Sequence, residues 1–208
     1  VFANKSILIG YSGHGYVVAE AALEIGVDII GYSDKNAVPN DPFNLEYLGF
    51  EKSEDFMGWQ LPASFIIGIG DNSIRQKIAE LVIAKGKELL TVISKSASVS
   101  KTAKIGYGTF VNRNAAVNAL AIIGNNVILN TGCIVEHECV LADAVHIAPG
   151  AVLAGNVTVG ERSFIGANSV IRQGITIGKD VIIGAGTVII HDIPDGKKVV
   201  GNPGKYIE

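Results

Sequence analysis

Aliphatic residues recur every six positions from residue 93 to residue 194, seventeen hexapeptides in a row without an insertion. The leading residues run from Ile93, Val99, Ile105 and Val111 through Leu129, Val135, Ile147 and Ile165 to Ile189. Four residues after each comes a small or β-branched one, such as Ala115, Val127, Cys133, Cys139 or Thr187. A helix repeats every 3.6 residues and a strand every two, so a strict period of six fits neither alone. It predicts a parallel β-helix in which each hexad forms one short flat side and successive coils of eighteen residues stack. The leading aliphatic points inward and the small residue fits near the corner. Gly or Asn between them is expected to supply the turns, the glycines being Gly106, Gly124, Gly160, Gly166, Gly178 and Gly184.

The first ninety residues follow another rule. Residues 6–9 and 27–32 read as buried strands flanking a helix over 16–25, which Gly26 ends. Residues 39–62, rich in turn formers, read as a loose excursion with one small strand. A third strand over 64–70 leads to a helix over 73–85, with Asp71 or Asn72 as its N-cap and Gly86 as its stop. Strand and helix alternating at this spacing make a βαβ unit and imply a parallel sheet. The expected organisation is an α/β Rossmann-like domain over residues 1–91, followed by the β-helix over residues 92–208.

Composition narrows the function. At 48% hydrophobic and 18% charged residues the chain folds rather than remaining disordered. Its net charge of −3, with scattered Lys and Arg, gives no support to nucleic-acid binding. No apolar run is long enough to span a bilayer, and the start passes directly into a strand-like segment without a leader pattern. With no CxxC pair, a cytoplasmic location is the expectation. Cys133 and Cys139 hold the same small position of successive hexads, which reads as two buried thiols chosen for size rather than as a disulfide or a nucleophile.

Two places carry chemistry. The turn Gly10-x-x-Gly13-x-Gly15 lies between a strand and a helix, where backbone N–H groups and the helix dipole can cradle a phosphate. It is not the G-x-G-x-x-G dinucleotide fingerprint, and a plain tight turn reads the same residues. His14 in this turn reads as an imidazolium near a phosphate or as a solvated loop histidine. Asp34, ending the second strand, is placed to accept from a ribose hydroxyl or a base edge. In the repeat, His137 lies between Glu136 and Glu138 and leaves the coil outward, because Val135 and Cys139 take the inward positions. An exposed imidazole beside a carboxylate is the arrangement of a general base, and equally that of a surface histidine between solvated glutamates. One coil above His137 stands Gly155, whose missing side chain leaves room for a ligand and whose N–H is available. His137, His146 and His191 cannot converge within one chain, so no metal site is expected.

These motifs resemble a known family. Ser12-Gly13-His14-Gly15, Ile69-Gly70-Asp71-Asn72, Asn130-Thr131, Glu136-His137-Glu138-Cys139 and Ala154-Gly155-Asn156-Val157 are similar to stretches of the left-handed β-helix acetyltransferases that act on nucleotide-linked amino sugars and on sialic acid. The resemblance covers both domains in the same order. It implies acetyl-CoA as co-substrate with no metal, a left-handed coil, and a homotrimer with active sites between neighbouring β-helices. By matching position it implies His137 as general base with Glu138 as its partner. Asn130, His146, Gly155, Ala167 and Ala185 would meet acetyl-CoA, Ala185 through its backbone since it stands in place of a glycine. Ser12, Gly13, His14, Gly15, Asp34, Lys35 and Gly70 would hold a nucleotide sugar. The branch implied acetylates the amine of a UDP-4-amino-4,6-dideoxy sugar in surface-glycan biosynthesis, with sialic acid O-acetylation and GDP-perosamine N-acetylation as related activities. A nucleotide-sensing trimeric scaffold and an NAD oxidoreductase are the readings outside this class.

Overall fold

The computed structural model describes residues 5–207. The expected absence of a leader therefore concerns residues that begin outside those described. The chain divides into two compact units, one ending at Lys95 and the other beginning at Ser96.

In the first unit β1 (Lys5–Ile9), α1 (Gly13–Glu24), β2 (Asp28–Ser33), β3 (Ser64–Ile67) and α2 (Asn72–Ala84) follow in order. The three strands form a parallel sheet in the order β2-β1-β3. Ile7, Ile9, Phe65 and Ile67 pack with Ile78, Ala79 and Val82 of α2 to make the core. Asp71 caps α2, its carboxylate accepting from the Ile74 N–H at 2.8 Å. Two boundaries differ from the expectation for one reason. Helix α1 begins at Gly13 rather than at residue 16, and β3 stops at Ile67 rather than at residue 70. A Cβ on Gly15 would lie 2.2 Å from the Gly10 carbonyl oxygen, and one on Gly68 would lie 2.4 Å from the same oxygen. Gly10, Gly15 and Gly68 interlock, drawing the first helical turn down onto the strand exits. The excursion holds a single turn of 3₁₀ helix, Met57–Gln60, and an isolated bridge between Tyr32 and Tyr47 in place of the small strand.

The second unit is a parallel β-helix. Two-residue strands recur every six residues, with the leading aliphatic second in each, as in Ile128–Leu129, Ile134–Val135 and Val140–Leu141. Each pairs one coil onward: Leu129 with Ile147, Val135 with Leu153, Leu141 with Val159. The leading residues and the small ones four later fill one continuous core. The coil closes early at its end, where Ile183 pairs with Val199 rather than one full coil on.

Asn makes several of the turns, as expected, but the six named glycines do not. Left-handed φ falls at the fourth position of the hexad, at Asn114, Asn126, Gly132, Glu138, Gly150 and Asn156. The six glycines expected to turn the chain sit at the second position and are absent from the positive-φ residues. They are small because coils crowd there: a Cβ on Gly106 would lie 2.5 Å from the Gly124 oxygen, and one on Gly166 2.5 Å from the Ile183 oxygen. Among the described residues no helix is long and apolar enough to cross a membrane.

Candidate active site

His137 and Glu138 occupy the third and fourth positions of their hexad. Val135 and Cys139, on either side, are wholly buried, so the repeat itself turns the imidazole outward. Glu138 holds the left-handed conformation the fourth position requires, with φ of 61°. Its Oε2 lies 3.1 Å from Nδ1 of His137, and both side chains are at least half exposed. An ionised carboxylate only accepts, so Nδ1 carries the proton and Nε2 keeps its lone pair. One coil on, a Cβ at Gly155 would lie 2.4 Å from both Nε2 and Cε1 of His137. The room expected there for a ligand is therefore taken by the imidazole ring. The Gly155 N–H finds no acceptor among the described residues. The equivalent N–H groups of Asn125 and Lys179 are bound by Asp143 and Asp195.

Asn130 and His146 form a second pair, with Nδ2 of Asn130 3.2 Å from Nε2 of His146. The His146 ring is buried and stands edge-on to Phe164, 5.0 Å between centroids. Ala167 and Ala185 stack one coil apart on the corner that follows this strand face, the Ala167 carbonyl accepting from Gly186. The face through Ile134 and Val135 separates that corner from His137 and Gly155. Within one chain the structure thus brings together His137, Glu138 and Gly155, and separately Asn130 with His146, but not the two groups. The cysteines are free and face the core, with burial pushing the Cys133 thiol up to about 12 and raising that of Cys139. Neither is a nucleophile. Among the described residues no group of three His, Cys, Asp or Glu side chains could hold a metal ion.

In the first unit a cavity of about 340 Å³ is lined by Gly10, Ser12, His14, Asp34, Lys35, Glu51 and Gly70, among others. Gly13 and Gly15 are outside its lining. A neighbouring hollow of about 370 Å³, bordered by Tyr11, Tyr16, Asn36 and Pro39, shares Ser12 and Asp34 with it. The Asp34 carboxylate already accepts from the N–H groups of Tyr11 at 2.9 Å and Lys35 at 2.7 Å, which pins the two strand exits together. Burial first, and the charge of Arg75 second, push the His14 imidazole down to about 4, which favours the neutral ring at pH 7.

Two charged residues of this unit escaped the sequence reading. Arg75 is 1% exposed, donating to the Gly70 carbonyl at 2.9 Å, the Ile69 carbonyl at 3.3 Å and Oδ1 of Asn72 at 2.9 Å. Burial pushes it down to about 10, still charged at neutral pH. Glu51, 5% exposed, accepts from the Ser33 hydroxyl at 2.8 Å. Arg75 had a signal, since residues 75, 78, 79 and 82 form the apolar stripe of α2 and an arginine on that stripe must be buried. Glu51 had none, because only the folded excursion brings it to Ser33.

Residues 5–82 match the PglD N-terminal domain and residues 156–190 the hexapeptide repeat of succinyl-transferase. A UDP-N-acetylbacillosamine N-acetyltransferase of Bacillus subtilis is 35% identical over 113 residues, 50% of this chain and 49% of that enzyme. The chain thus spans about half the length of the curated relative it matches. The acetyltransferase domain of PglB from Neisseria gonorrhoeae, solved with acetyl coenzyme A, is 38% identical with a TM-score of 0.92, the match covering 98% of this chain and 99% of that one. PerB from Caulobacter crescentus, solved with CoA and GDP-perosamine, is 36% identical with a TM-score of 0.91, over 98% and 97% of the two chains. Likeness of this extent, through both units and in the same order, establishes that the chain belongs to the family of bacterial hexapeptide-repeat sugar acetyltransferases.

Proposed function

We propose that the protein transfers an acetyl group from acetyl-CoA to the amine of a nucleotide-linked 4-amino sugar, as a cytoplasmic enzyme of surface-glycan biosynthesis. The observation that carries this reading is the outward His137, its Nδ1 held by Glu138 and its Nε2 lying against Gly155. Nε2 removes the proton from the attacking amine as the C–N bond forms, and returns it to the departing CoA sulfur as the C–S bond breaks. The Gly155 N–H is placed to donate to the thioester oxygen as that atom gains charge. Glu138 fixes the tautomer throughout. No acyl-enzyme forms, since both thiols face the core.

The first unit supplies remote binding energy that positions the amine. Ser12, neutral His14, Asp34, Lys35 and Gly70 border a cavity fit for a nucleoside diphosphate, with Gly13 and Gly15 shaping the turn beneath. Asn130, His146, Ala167 and Ala185 take the acyl donor. That they lie across a face from His137 supports a homotrimer whose neighbours complete each site. The outer aliphatics Ile122, Val140, Val170 and Ile182, each exposed in the single chain, support it too.

The nucleotide assigned is UDP, after the bacillosamine relative. GDP is the second reading, favoured by the likeness to the structure solved with GDP-perosamine. A thiol-release assay with acetyl-CoA and equal concentrations of UDP-4-amino-4,6-dideoxyhexose, GDP-perosamine and free sialic acid tests this. The UDP sugar should turn over fastest. Faster GDP-perosamine turnover moves the enzyme to that branch, and equal rates on free sialic acid overturn the reading in favour of O-acetylation.

A further inference from the structure

The cavity of the first unit holds a buried carboxylate that the fold leaves half satisfied. The bridge between Tyr32 and Tyr47 lays the excursion against β2, the Tyr32 N–H donating to Glu46 and the Leu48 N–H to Tyr32. Gly49, at φ of 100°, turns the chain, and Glu51 comes back over the exit of that strand. There the Ser33 hydroxyl donates to Oε2 of Glu51 at 2.8 Å, and the same oxygen of Ser33 accepts from the Glu51 N–H at 2.9 Å. Ser33 is wholly buried and Glu51 nearly so.

Oε1 is what remains. It accepts from no group among the described residues, yet it is not sealed from solvent. A buried carboxylate oxygen is ordinarily filled by a donor, because a bare one has lost its hydration with nothing in return. Glu51 lines the cavity, so the space open to Oε1 is the space a ligand fills. Asp34 lines it too but is in the opposite condition, since each of its oxygens already holds a backbone N–H.

Three neighbours say what the missing donor belongs to. Phe50 lines the cavity beside Glu51 and offers a flat apolar face. Lys35 and Lys52 line it as well, and an ammonium group only donates. The wall therefore presents one open acceptor, two donors and a ring. A planar base with an N–H between two carbonyl groups complements that set. Uracil is such a base, with N3–H for Oε1 and with O2 and O4 for the lysines. Cytosine would turn a lone pair toward Oε1, and guanine would set an amino group where a lysine donates.

We infer that Glu51 reads the base of the substrate, taking a uracil N3–H on Oε1. The inference rests on the reading of the first unit as a nucleotide-sugar site, and it moves base recognition from Asp34 to Glu51.

Calorimetry on the full chain with UDP, N3-methyl-UDP, CDP, GDP and 2′-deoxy-UDP tests it. UDP should bind about a hundredfold more tightly than N3-methyl-UDP or CDP, the effect of losing one hydrogen bond to a charged group at a buried site. GDP should bind less tightly than UDP. The 2′-deoxy compound keeps N3–H and should bind within about threefold of UDP. In Glu51→Gln the amide oxygen takes the Ser33 proton and the NH₂ group faces the cavity, so the preference for UDP over CDP should vanish or invert. The ratio is the readout, because removing a charge near a diphosphate shifts both affinities together, and a merely structural role would leave the ratio unmoved.

CDP binding as tightly as UDP to the unmutated protein overturns the proposal, and so does an unchanged ratio in folded Glu51→Gln. A 2′-deoxy-UDP as weak as N3-methyl-UDP would give Oε1 to the ribose, and GDP tighter than UDP would remove the match to uracil; either overturns it. If the variant fails to fold, the panel on the unmutated protein decides. Thiol release on the same samples separates this from the functional reading. Discrimination as expected with no 4-amino sugar acetylated would sink acetyl transfer and leave the role of Glu51 standing. Acetylation with no discrimination among the bases would do the reverse.

Discussion

The two units place their chemistry by opposite means. In the β-helix a residue's position in the hexad decides its direction. His137 points outward because its neighbours at the inward positions are Val135 and Cys139, and Glu138 reaches it because the fourth position turns left-handed. In the first unit, side chains distant in sequence hold the cavity. Asp34 pins the exit of β1, Glu51 reaches Ser33, and Arg75 grips the Ile69–Gly70 backbone from within α2. Where a repeating backbone aims the side chain, a substitution changes chemistry with little loss of stability. Where packing aims it, stability and function fall together.

Removing the buried cation should break the first unit hardest. Arg75→Met leaves three acceptors unsatisfied in the interior and should cost about 3 kcal/mol by urea unfolding, with nucleotide binding lost in parallel. A change under about 0.5 kcal/mol would mean the cation does not hold this loop. Gly155→Ala is the contrasting experiment in the repeat. The new methyl displaces the exposed His137 ring, so kcat should fall by about 10²-fold, roughly 2.7 kcal/mol, while the melting temperature barely moves. Equal losses of stability and rate would erase the distinction between the units.

Two smaller effects sharpen it. Glu138→Gly relieves a left-handed non-glycine residue and should stabilise the β-helix by about 1 kcal/mol, yet kcat should drop about tenfold as the imidazole loses its orienting carboxylate. The effect that is smallest at neutral pH concerns His14, whose ordinary value of 6.5 falls to about 4 in the folded state. Between those values the unfolded chain binds the proton and the folded chain does not, so stability rises with pH. The contribution is complete above about pH 6.5 and fades as pH falls toward 4. A set of unfolding curves from pH 7 to pH 4 should be shallower for His14→Gln than for the unmutated protein.

The same contrast explains what could be read before folding. The hexad period fixed the coil, the core and the outward direction of His137, since all three depend on residue position within a repeat. It misplaced the glycine turns, because glycine serves both left-handed φ and close approach, and only coordinates separate Gly132 from Gly106. The α/β order and the Asp71 cap were legible from local signals. The glycine turn was half read: Gly10 and Gly15 were visible, but their third partner, Gly68, lies 53 residues beyond Gly15 and meets them only through the sheet. Glu51 and the neutral state of His14 depend on contacts made across the fold, and no local pattern announces them.

The account rests on His137 as the base of an acetyl transfer, and one comparison tests it most directly. Steady-state thiol release with UDP-4-amino-4,6-dideoxyhexose should show kcat of His137→Ala lowered by roughly 10²–10⁴-fold, with the CoA dissociation constant, measured by calorimetry on the same samples, unchanged. Turnover within about threefold of the unmutated enzyme would remove His137 from the chemistry and contradict the account.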